Sequence, residues 1–169
     1  MRLLSALAIA VSLLFAGCSS DHTTAPSAIN PSFTASLSPA NEVPPIGNAE
    51  SVGRGTVTVT FNPTYSAGNI TAATAVFVVN LTGFPANTPI NAAHIHPGAT
   101  GVNGGVLVST GLAGGQVVLA NGSGTFTSPA VTVLPEVAQQ IIKTPDAYYF
   151  NVHSAINPGG VARGQLVRQ

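Results

Sequence analysis

The sequence predicts an all-β domain, either a single β-sandwich or a small Greek-key barrel, with one short helix. Apolar residues make up 45% of the chain and charged residues only 6%, the reverse of the balance in disordered chains. The 18 glycines and 13 prolines separate short apolar runs, as turns separate strands. In one run Val57, Val59 and Phe61 alternate with threonines, the period-two pattern of a strand with one buried face.

Other strands are predicted on both sides of this run. One begins near Phe33, and a longer one covers residues 70–81, where apolar residues on both faces indicate a central position. Short strands are predicted over 92–96, 106–109, 116–120 and 123–127, and two more, over 147–153 and 161–168, close the chain. The Asn121-Gly122 pair predicts a hairpin between the strands at 116–120 and 123–127.

One helix is predicted over residues 135–143. Pro135 suits a first helical turn, Glu136 complements the positive end of the helix dipole, and Lys143 complements the negative end. Val137, Ile141 and Ile142 form an apolar stripe at helical spacing, so we expect the helix to pack on a sheet.

The sequence of the N-terminus predicts a secretion signal. Arg2 is followed by the apolar run 3–15, which is shorter than the about 20 residues that span a bilayer. The ending 14–18 resembles the bacterial lipoprotein signal, although Phe15 stands where Leu is usual. The resemblance implies acylation of Cys18 and a lipid anchor in the cell envelope; ordinary secretion is the alternative. Ser19 follows the cysteine where an inner-membrane retention signal would place Asp, which favours the outer membrane if the host has one.

These segments divide the chain into a signal peptide over 1–17, a polar, Pro-broken tether over 18–32 and a β domain over 33–169. Because Cys18 is the only cysteine, we expect no disulfide framework, Cys-ligated zinc or thiol nucleophile in the domain. No basic stripe is present, so nucleic acid is not an expected partner. The membrane, reached through the lipid, is the one partner predicted.

Four stretches, in order, carry a resemblance to a known family. They are Asn41 to Pro45, Ala93 to Gly98, Tyr149 to His153, and Asn157 to Gly160 leading to Arg163 to Leu166. In this spacing they resemble the CHRD domain, named for chordin, over roughly residues 33–169. The resemblance implies an all-β domain that works outside the cytoplasm and implies little about its chemistry. Ala162 departs from the family, which commonly has an acidic residue before the Arg-Gly pair.

The histidines suggest a metal site. His94 and His96 share one face of a predicted strand, about 7 Å apart at Cα, and His153 lies on the polar side of another strand with Tyr149 and Asn151. If the two strands are neighbours, three imidazoles meet and could bind zinc or copper, with nitrogens about 3–4 Å apart. Alternatively, the histidines only form hydrogen bonds with backbone carbonyls.

Glu42 and Arg163 are rare charges beside tight turns. We expect an ion pair between them, joining the first loop to the last strand; the alternative is that Arg163 binds an anionic ligand.

Three functions compete. The first is a non-enzymatic surface module of unknown ligand, and the second is the three-histidine metal-binding domain. The third is an enzyme, because the segment around His94 and His96 is also similar to copper-zinc superoxide dismutase. That enzyme needs more histidines than the three available here, and no Gly-x-Ser-x-Gly motif or pair of carboxylates supports hydrolysis. The sequence therefore favours the non-enzymatic module, without a certain cofactor, and metal binding is the alternative.

Overall fold

The computed structural model describes residues 30–169. The predicted signal peptide, with Cys18 and most of the tether, lies outside the described residues. Within 30–169 no helix is both long and apolar enough to cross a membrane.

Two antiparallel sheets form the domain. The first sheet has the order β11 (Val167–Arg168), β1 (Ser32–Leu37), β2 (Arg54–Ser66) and β3 (Asn69–Thr82), and both β7 (Gly124–Thr127) and β8 (Val131–Val133) pair with β3. The second sheet has the order β10 (Ala162–Gln165), β9 (Tyr148–Ser154) and β4 (Thr88–Pro97), and both β5 (Val108–Ser109) and β6 (Val117–Leu119) pair with β4. Short 3-10 turns lie at Pro39–Asn41, Ala49–Val52 and Pro145–Ala147.

The two sheets pack face to face. On β2 the predicted alternation is confirmed, because Val57, Val59 and Phe61 are buried and the intervening threonines are not. Phe77 of β3 stacks on Phe150 of β9 with ring centroids 5.7 Å apart, which joins the sheets at the middle of the core. The architecture is the predicted β-sandwich, and the alternative of a closed barrel is wrong.

The helix α1 (Pro135–Lys143) has the predicted bounds. Ala138 and Ile141 are buried, and Val137 and Ile142 are partly buried. The predicted apolar stripe therefore packs against β3 and β2. The terminal residues Glu136 and Lys143 occupy the turns where their charges complement the helix dipole.

The predicted hairpin at Asn121-Gly122 is wrong. A tight turn does form, with the Gly122 amide donating to the Leu119 carbonyl and a left-handed φ of 73° at Gly122. However, β6 before the turn pairs with β4, and β7 after it pairs with β3 in the other sheet. The turn carries the chain between the sheets, and local sequence cannot distinguish this from a hairpin.

Two other strand predictions need correction. The final strand predicted over 161–168 is two strands, because the buried Leu166 marks a crossover from β10 in one sheet to β11 in the other. The strand β3 is central as predicted, yet one face is open, and Val78 on that face is 37% exposed. The strand β8 was not predicted, since a three-residue run offers too little periodicity.

Candidate metal centre

The outward side of the second sheet carries a cluster of polar side chains. We call it the polar face; its members are His94, His96, Tyr149, Asn151, His153 and Arg163. The period of two places Ile95, Phe150 and Val152 in the core and turns these residues outward. Across the strands Asn151 is opposite both His94 and Arg163, and Tyr149 is opposite His96. The adjacency of β4 and β9, on which the predicted metal site depends, is therefore present.

Loops cover the polar face and bury most of it. The loop after β1 brings Glu42 over the sheet, the loop after β4 brings Gly104, and the loop after β9 brings Pro158 and Gly160. Gly104 passes so close to Pro97 that a Cβ would lie 1.8 Å from the Pro97 carbonyl oxygen, so glycine is required there. The side chains of the polar face therefore lie between the second sheet and these three loops.

The three histidines converge. One ring nitrogen from each lies within 4.8 Å of those from the other two, and Nδ1 of His94 is 3.0 Å from Nε2 of His153. The closest pair meets the expected spacing of about 3–4 Å, whereas the widest separation is larger than two ligand bonds near 2 Å can join. Closing a site on one ion therefore requires small side-chain rotations.

Backbone carbonyls fix the tautomers of two of the rings. Nδ1 of His96 donates to the Gly104 carbonyl at 3.0 Å, and Nδ1 of His153 donates to the Pro158 carbonyl at 2.9 Å. The Nε2 atoms of both rings therefore carry a lone pair: that of His153 accepts a hydrogen bond from Nδ1 of His94, and that of His96 is buried without a hydrogen-bond partner among the described residues. Histidines that bind metals commonly donate their second nitrogen to a carbonyl in this way.

The surroundings of His94 and His153 favour the neutral form of these two imidazoles. Burial, followed by the neighbouring His153 and His96, lowers the pKa of His94 from 6.5 to about 4. Burial also lowers the pKa of His153, although the bond to Pro158 opposes the effect. Neutral imidazole is the form that binds a metal ion, and the lowered pKa values favour this form at His94 and His153.

Glu42 and Arg163 come together beside the histidines. Arg163 is 2% exposed and Glu42 6%. Burial raises the pKa of Glu42 to about 7, while the charge of Arg163 and a hydrogen bond from Asn151 act in the opposite direction. Within the described residues, Oε1 of Glu42 and Nη2 of Arg163 each lack a hydrogen-bond partner, and the charge of Arg163 acts on Glu42 through space. Their direct ion pair stays a prediction.

Asn41 makes the connection between the first loop and β10. Nε of Arg163 donates to the Asn41 carbonyl at 2.6 Å, and Nδ2 of Asn41 donates to the Arg163 carbonyl at 3.0 Å. These reciprocal bonds fix the position of the neighbouring Glu42. The sequence marks the Asn41 to Pro45 stretch as part of the family resemblance, but it does not predict these contacts.

The comparison with protein-family models decides the family. The model of the CHRD domain matches residues 33–166, most of the chain. The chain belongs to the CHRD-domain family. No curated protein and no solved structure matches it significantly.

In this CHRD domain the polar face also contains a ring stack that sequence reasoning missed. The ring of Tyr149 lies parallel to His96, with an interplanar angle of 8° and centroids 4.9 Å apart, and the guanidinium of Arg163 is 4.5 Å from the same ring. The period of two shows that Tyr149 faces outward, but which rings it touches depends on cross-strand register. Tyr149 therefore contacts both the histidine cluster and the buried arginine.

A second buried carboxylate in the CHRD domain was also missed. Glu50 is fully buried and accepts hydrogen bonds from Ser154 at 2.6 Å and from Asn157 at 2.5 Å. Asn157 also exchanges hydrogen bonds with Asn48. These contacts fasten residues 48–52 to the turn after β9, and the local sequence around Glu50 offers no signal for them.

Proposed function

We propose that this protein is a non-enzymatic module outside the cytoplasm that binds one zinc or copper ion through His94, His96 and His153. The observation that carries the proposal is the donor set. Three imidazoles meet on one face, and two of them are already oriented by backbone carbonyls.

The donor types select the class of metal. Imidazole nitrogen suits zinc and copper, whereas calcium and magnesium prefer oxygen ligands. Three histidines leave one coordination position for water or another small ligand. His94 is only partly buried, so an ion can approach the cluster from its side.

Nδ1 of His94 and Nε2 of His153 bond to each other, so the nitrogen that favours metal binding over a purely structural hydrogen-bond cluster is Nε2 of His96. In a purely structural role each buried nitrogen would have a protein partner, because an unpaired buried polar atom costs about 1–3 kcal/mol. Nε2 of His96 has no partner in the part of the chain that the structure describes, and it lies on the side of the ring that the Gly104 bond leaves free. An ion there would use this lone pair.

Titration of the chelator-treated protein with Zn²⁺ and with Cu²⁺ tests the proposal. Calorimetry should give one ion per chain, and the melting temperature should rise, since a ligand at 100 times its Kd stabilises the native state by about 2.7 kcal/mol. His94→Ala should lose the response, whereas His22→Ala is the matched control and should keep it. Equal responses in the wild type and His94→Ala would rule the site out.

We also propose that Cys18 is acylated and anchors the module in the cell envelope, at the outer membrane or in the periplasm of a Gram-negative host. The support is the position of this single cysteine directly after the apolar run and Ala16-Gly17. Cys18→Ser should move the protein from the membrane fraction to the soluble fraction or leave the precursor uncleaved. A mature-length Cys18→Ser protein that still sediments with membranes would contradict the anchor.

A further inference from the structure

We propose that a cleft beside Arg163 binds a small anionic oxygen group, a carboxylate or a phosphate, independently of the histidine cluster. The cleft has a volume of about 350 Å³ and lies where the loop after β1, the loop after β4 and the strand β10 meet. Arg163 forms part of its wall, together with the polar residues Ser36, Asn41, Thr100 and Gln165.

The first argument is the incomplete compensation of a buried charge. The guanidinium of Arg163 donates to the carbonyls of Asn41 and Val102 and to the side-chain oxygen of Asn103. All three acceptors are neutral, whereas buried charges are normally paired with an opposite charge. The nitrogen Nη2 is buried and has no hydrogen-bond partner among residues 30–169.

The nearby carboxyl group of Glu42 compensates this charge only in part. It makes no hydrogen bond to Arg163 within the described chain. Burial raises the pKa of Glu42 to about 7, so at neutral pH the carboxyl group is protonated much of the time. The environment of Arg163 therefore keeps a net attraction for an anion.

The second argument is the chemistry of the cleft wall. Ser36 is exposed, and its hydroxyl and that of Thr100 add neutral hydrogen-bond donors next to the arginine. Asn41 and Gln165 are already bonded to backbone carbonyls, which holds the wall in place. An arginine whose charge meets only neutral acceptors, beside exposed hydroxyl donors, suits oxyanions, because hydrogen bonds between charged groups are the strong ones.

Titration of the purified protein with sodium phosphate and, separately, sodium acetate tests the site, with sodium chloride keeping the ionic strength constant. Melting temperature and amide chemical shifts are the two readouts. We expect one of the two oxyanions, or both, to raise the melting temperature and to shift the amides of Thr100 and Gly164. An equal response to chloride, or none to either oxyanion, would overturn the proposal.

Two variants locate the response. Arg163→Gln should weaken the oxyanion Kd by about tenfold or more, as expected for the loss of one charged hydrogen bond. The matched control Arg54→Gln removes an exposed arginine and should bind as the wild type does. An unchanged Kd in Arg163→Gln would overturn the proposal.

Ser36→Glu keeps the test decisive if Arg163→Gln does not fold. It places a tethered carboxylate at the exposed rim of the cleft, so the variant should fold and lose its response to phosphate and acetate. Thr127→Glu, on an exposed position of β7, adds the same charge elsewhere and should keep the response. A retained response in Ser36→Glu would contradict the site.

Discussion

Acidification should destabilise the metal-free protein through His94, and the replacement His94→Asn should remove that effect. The unfolded chain protonates this imidazole near pH 6.5, whereas the folded protein resists protonation until about pH 4. The stability due to neutral His94 is therefore complete above pH 6.5 and is lost as the pH falls to about 4. The difference between the two pKa values corresponds to about 3 kcal/mol in the free energy of unfolding. Because His94 is partly exposed, solvent screening reduces this to about 1–2 kcal/mol.

Urea unfolding at several values between pH 7 and pH 4, with a chelator present, measures this effect. The quantity to compare is the free energy of unfolding of the wild type minus that of His94→Asn at each pH, which cancels the contributions of other titrating groups. This difference should fall by about 1–2 kcal/mol between pH 6.5 and pH 4. The control His22→Asn should follow the wild type. Parallel profiles for the wild type and His94→Asn would refute the assignment of a lowered pKa to this histidine.

Three further predictions concern the loops over the polar face. The free energy of unfolding of Glu42→Gln minus that of the wild type, measured in urea, should rise by about 2 kcal/mol between pH 4.5 and pH 8. The reason is that a carboxyl group with a raised pKa makes the folded wild type lose stability as the pH rises through about 7. The same difference at both pH values would contradict this prediction. The double-mutant cycle of Glu42→Gln and Arg163→Gln should show a coupling of about 0.5–3 kcal/mol, and strict additivity would remove the interaction. Gly160→Ala should lower the melting temperature, since φ is 134° and the Cβ would lie 2.8 Å from Oε1 of Glu42; Gly159→Ala, with open space, is its control.

Features of the fold that depend on short stretches of sequence could be predicted. The alternation at Val57, Val59 and Phe61 and the charges at the ends of 135–143 identify a strand and a helix from neighbouring residues alone. The partner of a strand depends on distant residues. For that reason the turn at Asn121-Gly122 was recognised but the sheets on its two sides were not.

The candidate site shows the same division. That His94 and His96 share a face follows from strand geometry alone. The approach of His153 depended on the assumption that its strand lies next to theirs, and the pairing of β4 with β9 confirms that assumption. The positions of the Gly104 and Pro158 carbonyls could not be predicted, because irregular loops have no periodicity to read. Those carbonyls determine the tautomers of His96 and His153.

The contact of Tyr149 with both His96 and Arg163 gives the protein a built-in optical probe. The sequence has three tyrosines and no tryptophan, so intrinsic emission comes from tyrosine alone. Tyr65 is exposed and remote in sequence from the polar face, whereas the ring of Tyr149 stacks on a candidate ligand. A paramagnetic Cu²⁺ ion at His96 would quench the Tyr149 emission, and diamagnetic Zn²⁺ would leave it largely intact. A chain with Tyr65 and Tyr148 changed to phenylalanine would therefore report the occupant of the site by fluorescence, without an added label.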